Sequence, residues 1–162
     1  MTKSAETSLS YSFNDPTLLR HALTHRSVEA PGGEDYERLE FLGDRVLGLV
    51  VTEMLMAAFP DEREGALAKR LAALVRQETL AAVARDIDLG RHVRLSRGEA
   101  EGGGRENDAI LSDVCEAVIA AIYRDGGLEA AASFVDRHWR ERLQASDAPP
   151  QDAKTTLQEW AQ

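Results

Sequence analysis

Two apolar runs interrupted by carboxylates constrain this chain more than anything else in it. The first, YERLEFLGDRVLGLVV, spans residues 36–51, and the second, AILSDVCEAVIAAIY, spans residues 109–123. At about 100° per residue, Glu37, Glu40 and Asp44 fall within roughly 60° of one another on the first run. Leu47, Gly48 and Val51 continue that stripe, Phe41 flanks it, and Leu39, Leu42, Val46 and Val50 fill the opposite side. A helix apolar nearly all round is expected to be buried. In the second run every residue from Val114 to Tyr123 except Glu116 is apolar or a small thiol, and Asp113 lies one turn from Glu116 on the same face. Two buried helices with inward acids form a pocket that like charges alone would destabilise. Hard divalent cations resolve the conflict, because Mg²⁺ takes oxygen ligands and keeps several waters. Four to six carboxylates leave room for a second ion. The competing reading satisfies the acids with backbone donors or arginine. Arg38 and Arg45, however, project about a quarter-turn or more from the stripe, so neither is an obvious internal partner.

The rest of the chain is helical in pattern as well. With 162 residues, 43% of them apolar and no β-branched alternation, it predicts one all-α domain. SFNDPTLLRHALTHRS predicts a helix capped by Asn14 or Asp15 with Pro16 in its first turn. EAPGGED is a loop, and the helix that begins at Tyr36 ends near Phe59, before Pro60. One or two helices follow up to Gly90, then a polar, glycine-rich loop through residues 91–108. The second apolar helix closes at Gly126–Gly127, and LEAAASFVDRHWRERL forms a last amphipathic helix. The expected domain occupies residues 1–146, a Pro-Pro linker residues 147–153, and the first turns of another domain residues 154–162. The single cysteine, Cys115, permits no intramolecular disulfide and suits a reducing cytoplasm. No segment reads as a signal sequence or membrane span, so a cytoplasmic protein without a membrane partner is expected. The formal charge of −9 opposes nucleic-acid binding unless metal ions neutralise some of the acids.

Other chemistries find less support. His21 and His25 are four apart, but no HExxH pattern or third ligand accompanies them. EGGGREN has no Lys-Ser/Thr and follows no strand, so it is not a P-loop. No histidine stands three residues after a glutamate, which disfavours a di-iron bundle. Cys115 sits among apolar residues and reads as an inert core thiol. Glu64 is open to two readings, a capping-box partner of Asp61 or a functional acid.

The same segments carry a resemblance. ERLEFLGDRVLGLVV resembles the signature motif of the ribonuclease III family, and LLRHALTHRS, EGALAKRLAALV and ILSDVCEAVIAAIYRDGG resemble its other blocks in the same order. The resemblance covers residues 9–145, and DAKTTLQEWAQ resembles the opening of the double-stranded-RNA-binding domain that follows in bacterial members. It implies a Mg²⁺-dependent (Mn²⁺ as a substitute) endonuclease that cleaves double-stranded RNA to 5′-phosphate and 3′-hydroxyl ends in rRNA and mRNA maturation. Glu40, Asp44, Asp113 and Glu116 match the metal-binding carboxylates, with Asp44 and Glu116 central to catalysis. Glu37 and Glu64 match cleft acids that serve RNA or a further metal, and Phe41 matches an aromatic that plugs the partner in a homodimer. Arg91, Arg94, Arg97 and Arg105 are the basic candidates for RNA; a solvated loop is the alternative. A non-catalytic RNA-binding scaffold dimer of the same fold is the competing function, opposed by the four intact carboxylates.

Overall fold

The computed structural model describes residues 2–28 and 36–145. Among the described residues seven α-helices follow in order: α1 (Thr2–Leu9), α2 (Pro16–Ala22), α3 (Glu37–Ala58), α4 (Glu64–Leu74), α5 (Gln77–Asp86), α6 (Arg97–Glu101) and α7 (Asp108–Gln144). Short 3-10 turns occupy Leu89–His92 and Gly104–Glu106. Among the described residues the one β feature is a single parallel bridge between Thr24 and Arg94. The chain is all-α, as its patterning predicts. The expected EAPGGED loop, the linker and the 154–162 segment lie outside the described residues.

Local signals explain most helix ends. Asp15 caps α2 by accepting from the Thr17 amide at 2.9 Å, and Pro16 occupies the first helical position, where no amide donor is needed. Phe59 leaves helical geometry immediately before Pro60 and ends α3. Asn107 caps α7 by accepting from the amides of Ala109 and Ile110. α7 is interrupted at Gly127, whose φ of 78° and ψ of −175° suit glycine alone, so the span consists of two helices that meet at the expected glycine pair.

The structure adds one element and corrects two expectations. Residues 2–9 form a helix that the sequence does not announce, since Ala5 and Leu9 are its buried apolar anchors and eight residues make no stable helix alone. The helix before Gly90 stops at Asp86, and Gly90 instead sits inside a 3-10 turn, where a Cβ would come within 2.3 Å of the Arg105 carbonyl oxygen. The loop at 91–108 contains α6 and a further 3-10 turn.

α3 and α7 form the centre of the fold. Val46, Leu47, Val50, Val51 and Leu55 of α3 are buried, as are Val114, Cys115, Val118, Ile119 and Ile122 of α7. α5 packs on α7 as well, and the fully buried Trp139 donates its indole N–H to the Leu74 carbonyl at 2.9 Å. α3, however, is not buried all round. Phe41, Leu49 and Met56 are 71%, 49% and 60% exposed along one side. Hydropathy does not distinguish burial within a chain from an apolar face left open.

Candidate active site

The site is organised by a glycine. A Cβ built on Gly43 would stand 1.9 Å from the carbonyl oxygen of Glu116 and 2.5 Å from its carbonyl carbon. α3 and α7 therefore cross with backbones nearly touching, an approach open only to a residue without a side chain. Glu40 precedes Gly43 by one turn and Asp44 follows it; Glu116 lies at the crossing and Asp113 one turn before it. The crossing gathers four carboxylates from two helices.

Their electrostatics reflect that crowding. The Glu116 carboxyl is pushed up to about 8, first by burial and then by Asp44, Glu40 and Asp113. Glu40 is raised by burial and by Asp113 and Glu37. Asp113 is raised by burial, against the opposing pull of the Tyr36 hydroxyl, Arg26 and His25. Tyr36 donates to Asp113 Oδ2 at 3.3 Å, and its own hydroxyl is raised by burial and by that carboxylate. Beside Asp113 opens a polar cavity of about 370 Å³ lined by His25, Arg26, Ser27, Tyr36, Glu99 and Asn107, among others.

Among the described residues, no three His, Cys, Asp or Glu side chains stand at the spacing that would hold a metal ion. Asp44 leans onto Arg45 and Asp113 onto Tyr36, so the acids surround the crossing without closing on one point. The donor chemistry nonetheless fits a hard divalent cation. All four groups offer oxygen, and their mutual repulsion is what such a cation would relieve.

The remaining candidates divide. Glu37 is exposed at the start of α3, 3.3 Å from Arg26, and its charge reaches Glu40. Glu64 is the first residue of α4, behind an Arg63 cap that makes no side-chain bond, so the capping box with Asp61 does not form. Glu64 is exposed and is not among the groups that raise Glu40, Asp113 or Glu116. Arg45, expected to point away, pairs with Asp44; a long side chain at the next position curls back where a helical projection places only its Cβ. Arg105 donates to the carbonyls of Gly90, Arg91 and Val93 at 3.0, 3.2 and 2.8 Å and so staples the 89–93 turn. Arg91 pairs with Asp88, Arg97 with Glu101, and Arg94 donates to Thr24 Oγ1 at 3.2 Å. His21 lies in the last turn of α2, whereas His25 lies beyond its end and bonds Ser27, which leaves no shared helical face for zinc.

Tyr36, Arg26 and Gly43 were not singled out from the sequence. Gly43 carried a usable signal, because a glycine inside an apolar helix costs about 1 kcal/mol against alanine and implies a close approach.

The Ribonuclease-III-like family profile matches residues 15–143. Ribonuclease 3 of Jannaschia sp. (strain CCS1) is 55% identical over 95% of this chain and 68% of its own length. Ribonuclease 3 of Azorhizobium caulinodans is 55% identical over 97% of this chain and 68% of its own. Among solved structures, the nuclease domain of ribonuclease III from Campylobacter jejuni, described for flexibility in a region involved in dimer formation, superposes with a TM-score of 0.81. It is 41% identical over 86% of this chain and 99% of that one. With its helical order, its crossing at Gly43 and its four gathered carboxylates, this chain belongs to the ribonuclease III family.

Proposed function

We propose that this ribonuclease III-family enzyme is a Mg²⁺-dependent endonuclease that hydrolyses phosphodiester bonds of double-stranded RNA to 5′-phosphate and 3′-hydroxyl ends. The observation that carries the reading is the convergence of Glu40, Asp44, Asp113 and Glu116 on the Gly43 crossing, where like charge and burial push Glu116 up to about 8. Such a cluster is stable and fully ionised at neutral pH only beside a cation. Glu40, Asp44, Asp113 and Glu116 would hold Mg²⁺, with Mn²⁺ as a substitute, and Asp44 and Glu116 are the catalytic pair. When bound, the cation supplies Lewis acidity that activates an attacking water and stabilises charge at phosphorus and at the leaving 3′-oxygen.

The protein's part is positional. The backbone contact at Gly43 sets the separation of the two carboxylate pairs, and the Tyr36 hydroxyl orients Asp113. Burial and the neighbouring carboxylates favour the protonated form of Glu116, a preference that a bound cation would oppose. Glu37 lies at the rim beside Glu40 and serves RNA or a further metal; Glu64, exposed at the start of α4, is assigned the same role from its match to the family's cleft acids. Phe41, 71% exposed beside the acidic stripe, would plug a second copy in a homodimer whose two sites cut opposite strands. Arg91, Arg94 and Arg97 are the remaining loop cations for RNA phosphates, since Arg105 is committed to the fold. The setting we assign is cytoplasmic maturation of rRNA and mRNA. No helix among the described residues is long and apolar enough to cross a membrane.

Cleavage of a long RNA duplex at low salt, with Mg²⁺ or with EDTA, tests the reading against Glu116→Gln. Metal-dependent cutting that the variant loses by at least about 100-fold is expected. Undiminished cutting by Glu116→Gln refutes the assignment of Glu116. No cutting by the folded wild-type dimer favours the non-catalytic scaffold.

A further inference from the structure

Arg45 follows Asp44 on α3, and its guanidinium Nη1 forms an ion pair with Asp44 Oδ2. The two side chains are 71% and 42% exposed, so the pair is open to exchange rather than locked in the core. Its placement has a cause one turn earlier. The guanidinium carbon lies 5.8 Å from the centroid of the Phe41 ring, a cation–π contact between residues four apart. Helical side chains lean toward the N-terminus, which carries Arg45 back over α3, beside Phe41 and onto Asp44. Arg45 also pulls the Glu116 carboxyl down, against burial and every carboxylate neighbour, so its charge reaches the second helix. Glu40 and Asp113 are instead pulled down by Arg26, which is paired with Glu37, and Asp113 by His25 as well.

We propose that Arg45 is a counter-ion gate on the carboxylate site: its guanidinium holds Asp44, and a divalent cation must displace it to recruit that oxygen ligand. The inference rests on reading Glu40, Asp44, Asp113 and Glu116 as metal ligands. An arginine on Asp44 competes with the cation twice, by occupying the carboxylate and by repelling a second positive charge. It also moderates repulsion among the four acids before the cation arrives. Arg45 is thus a positioning residue that sets the cation concentration at which the site fills.

Calorimetric titration of Mg²⁺ and of Mn²⁺ into wild type, Arg45→Ala, Arg45→Lys and Asp44→Asn tests the gate, with thermal unfolding against cation concentration as a second readout. Circular dichroism checks that each variant folds, which the exposure of Arg45 favours. Arg45→Ala should bind either cation about three- to tenfold more tightly than wild type, and Arg45→Lys should stay within about twofold. The melting temperature of Arg45→Ala should respond at correspondingly lower cation concentration. Equal or weaker binding by Arg45→Ala overturns the gate. If wild type binds, Asp44→Asn does not, and Arg45→Ala equals wild type, the metal site survives and the gate alone fails. If neither wild type nor Arg45→Ala binds a cation, the ligand assignment fails and the gate with it.

Discussion

Replacing Gly43 with alanine puts a methyl carbon 1.9 Å from the Glu116 carbonyl oxygen, and ordinary van der Waals contact begins at 3.4 Å. Neither partner can yield cheaply, because the obstructing atoms are helical backbone of the buried first half of α7. The two central helices must separate or tilt at their crossing. Two effects oppose each other. Alanine is favoured over glycine in a helix by about 1 kcal/mol, whereas overpacking a core typically costs about 1–3 kcal/mol, with rigid backbone at the upper end. We expect Gly43→Ala to lose about 2 kcal/mol, or roughly 4–8 °C in melting temperature for a chain of this size. Gly65→Ala is the control, since its Cβ meets nothing within 4 Å and the variant should be neutral or slightly more stable. Activity should suffer more than stability. A displacement of about 1 Å between groups that act together costs about 100-fold in rate, and this change moves Glu40 and Asp44 relative to Asp113 and Glu116. Urea or thermal unfolding combined with cleavage of duplex RNA measures both effects. A Gly43→Ala protein as stable and as active as wild type would refute the claim that backbone contact at this crossing positions the site.

Three further outcomes follow from named contacts. Glu116 binds its proton more tightly in the folded state, at about 8 against an ordinary 4.5. Its contribution to stability is therefore full below pH 4.5 and lost as pH rises through 8. In EDTA, wild type should lose about 2 kcal/mol more than Glu116→Gln between pH 5 and pH 9; undiscounted linkage over that window would give about 4, reduced because the group keeps contact with water. Parallel denaturation curves at the two pH values would contradict this. Trp139→Phe removes the buried donor to the Leu74 carbonyl and should cost about 1–3 kcal/mol in urea unfolding, with no change in duplex affinity. Gly127→Ala meets no neighbour within 4 Å yet forces a side chain to φ 78°, so a loss of about 1–3 kcal/mol from backbone strain alone is expected in the same assay.

Much of this molecule is legible in its sequence because the relevant signals are local. The Asp15–Pro16 start of α2, the end of α3 before Pro60 and the glycine pair in α7 all act within a few residues of where they stand. Helical periodicity likewise places Glu37, Glu40 and Asp44 on one stripe, and Asp113 with Glu116 on another. The capping motif proposed around Glu64 failed because a capping box needs its first residue at the helix boundary, and the boundary fell at Arg63. Tertiary structure alone decided the rest. Periodicity states which residues share a face but not which backbone crosses it, so the Gly43–Glu116 contact that joins the two acid pairs was out of reach. It likewise could not tell the buried side of α3 from the side left open at Phe41, Leu49 and Met56, nor show that Arg45 folds back onto Asp44 and Arg105 onto three carbonyls. The physical reason is common to all of these: a helix and its caps are determined by neighbours in the chain, whereas charge pairing and burial are determined by whatever packing brings within a few ångströms.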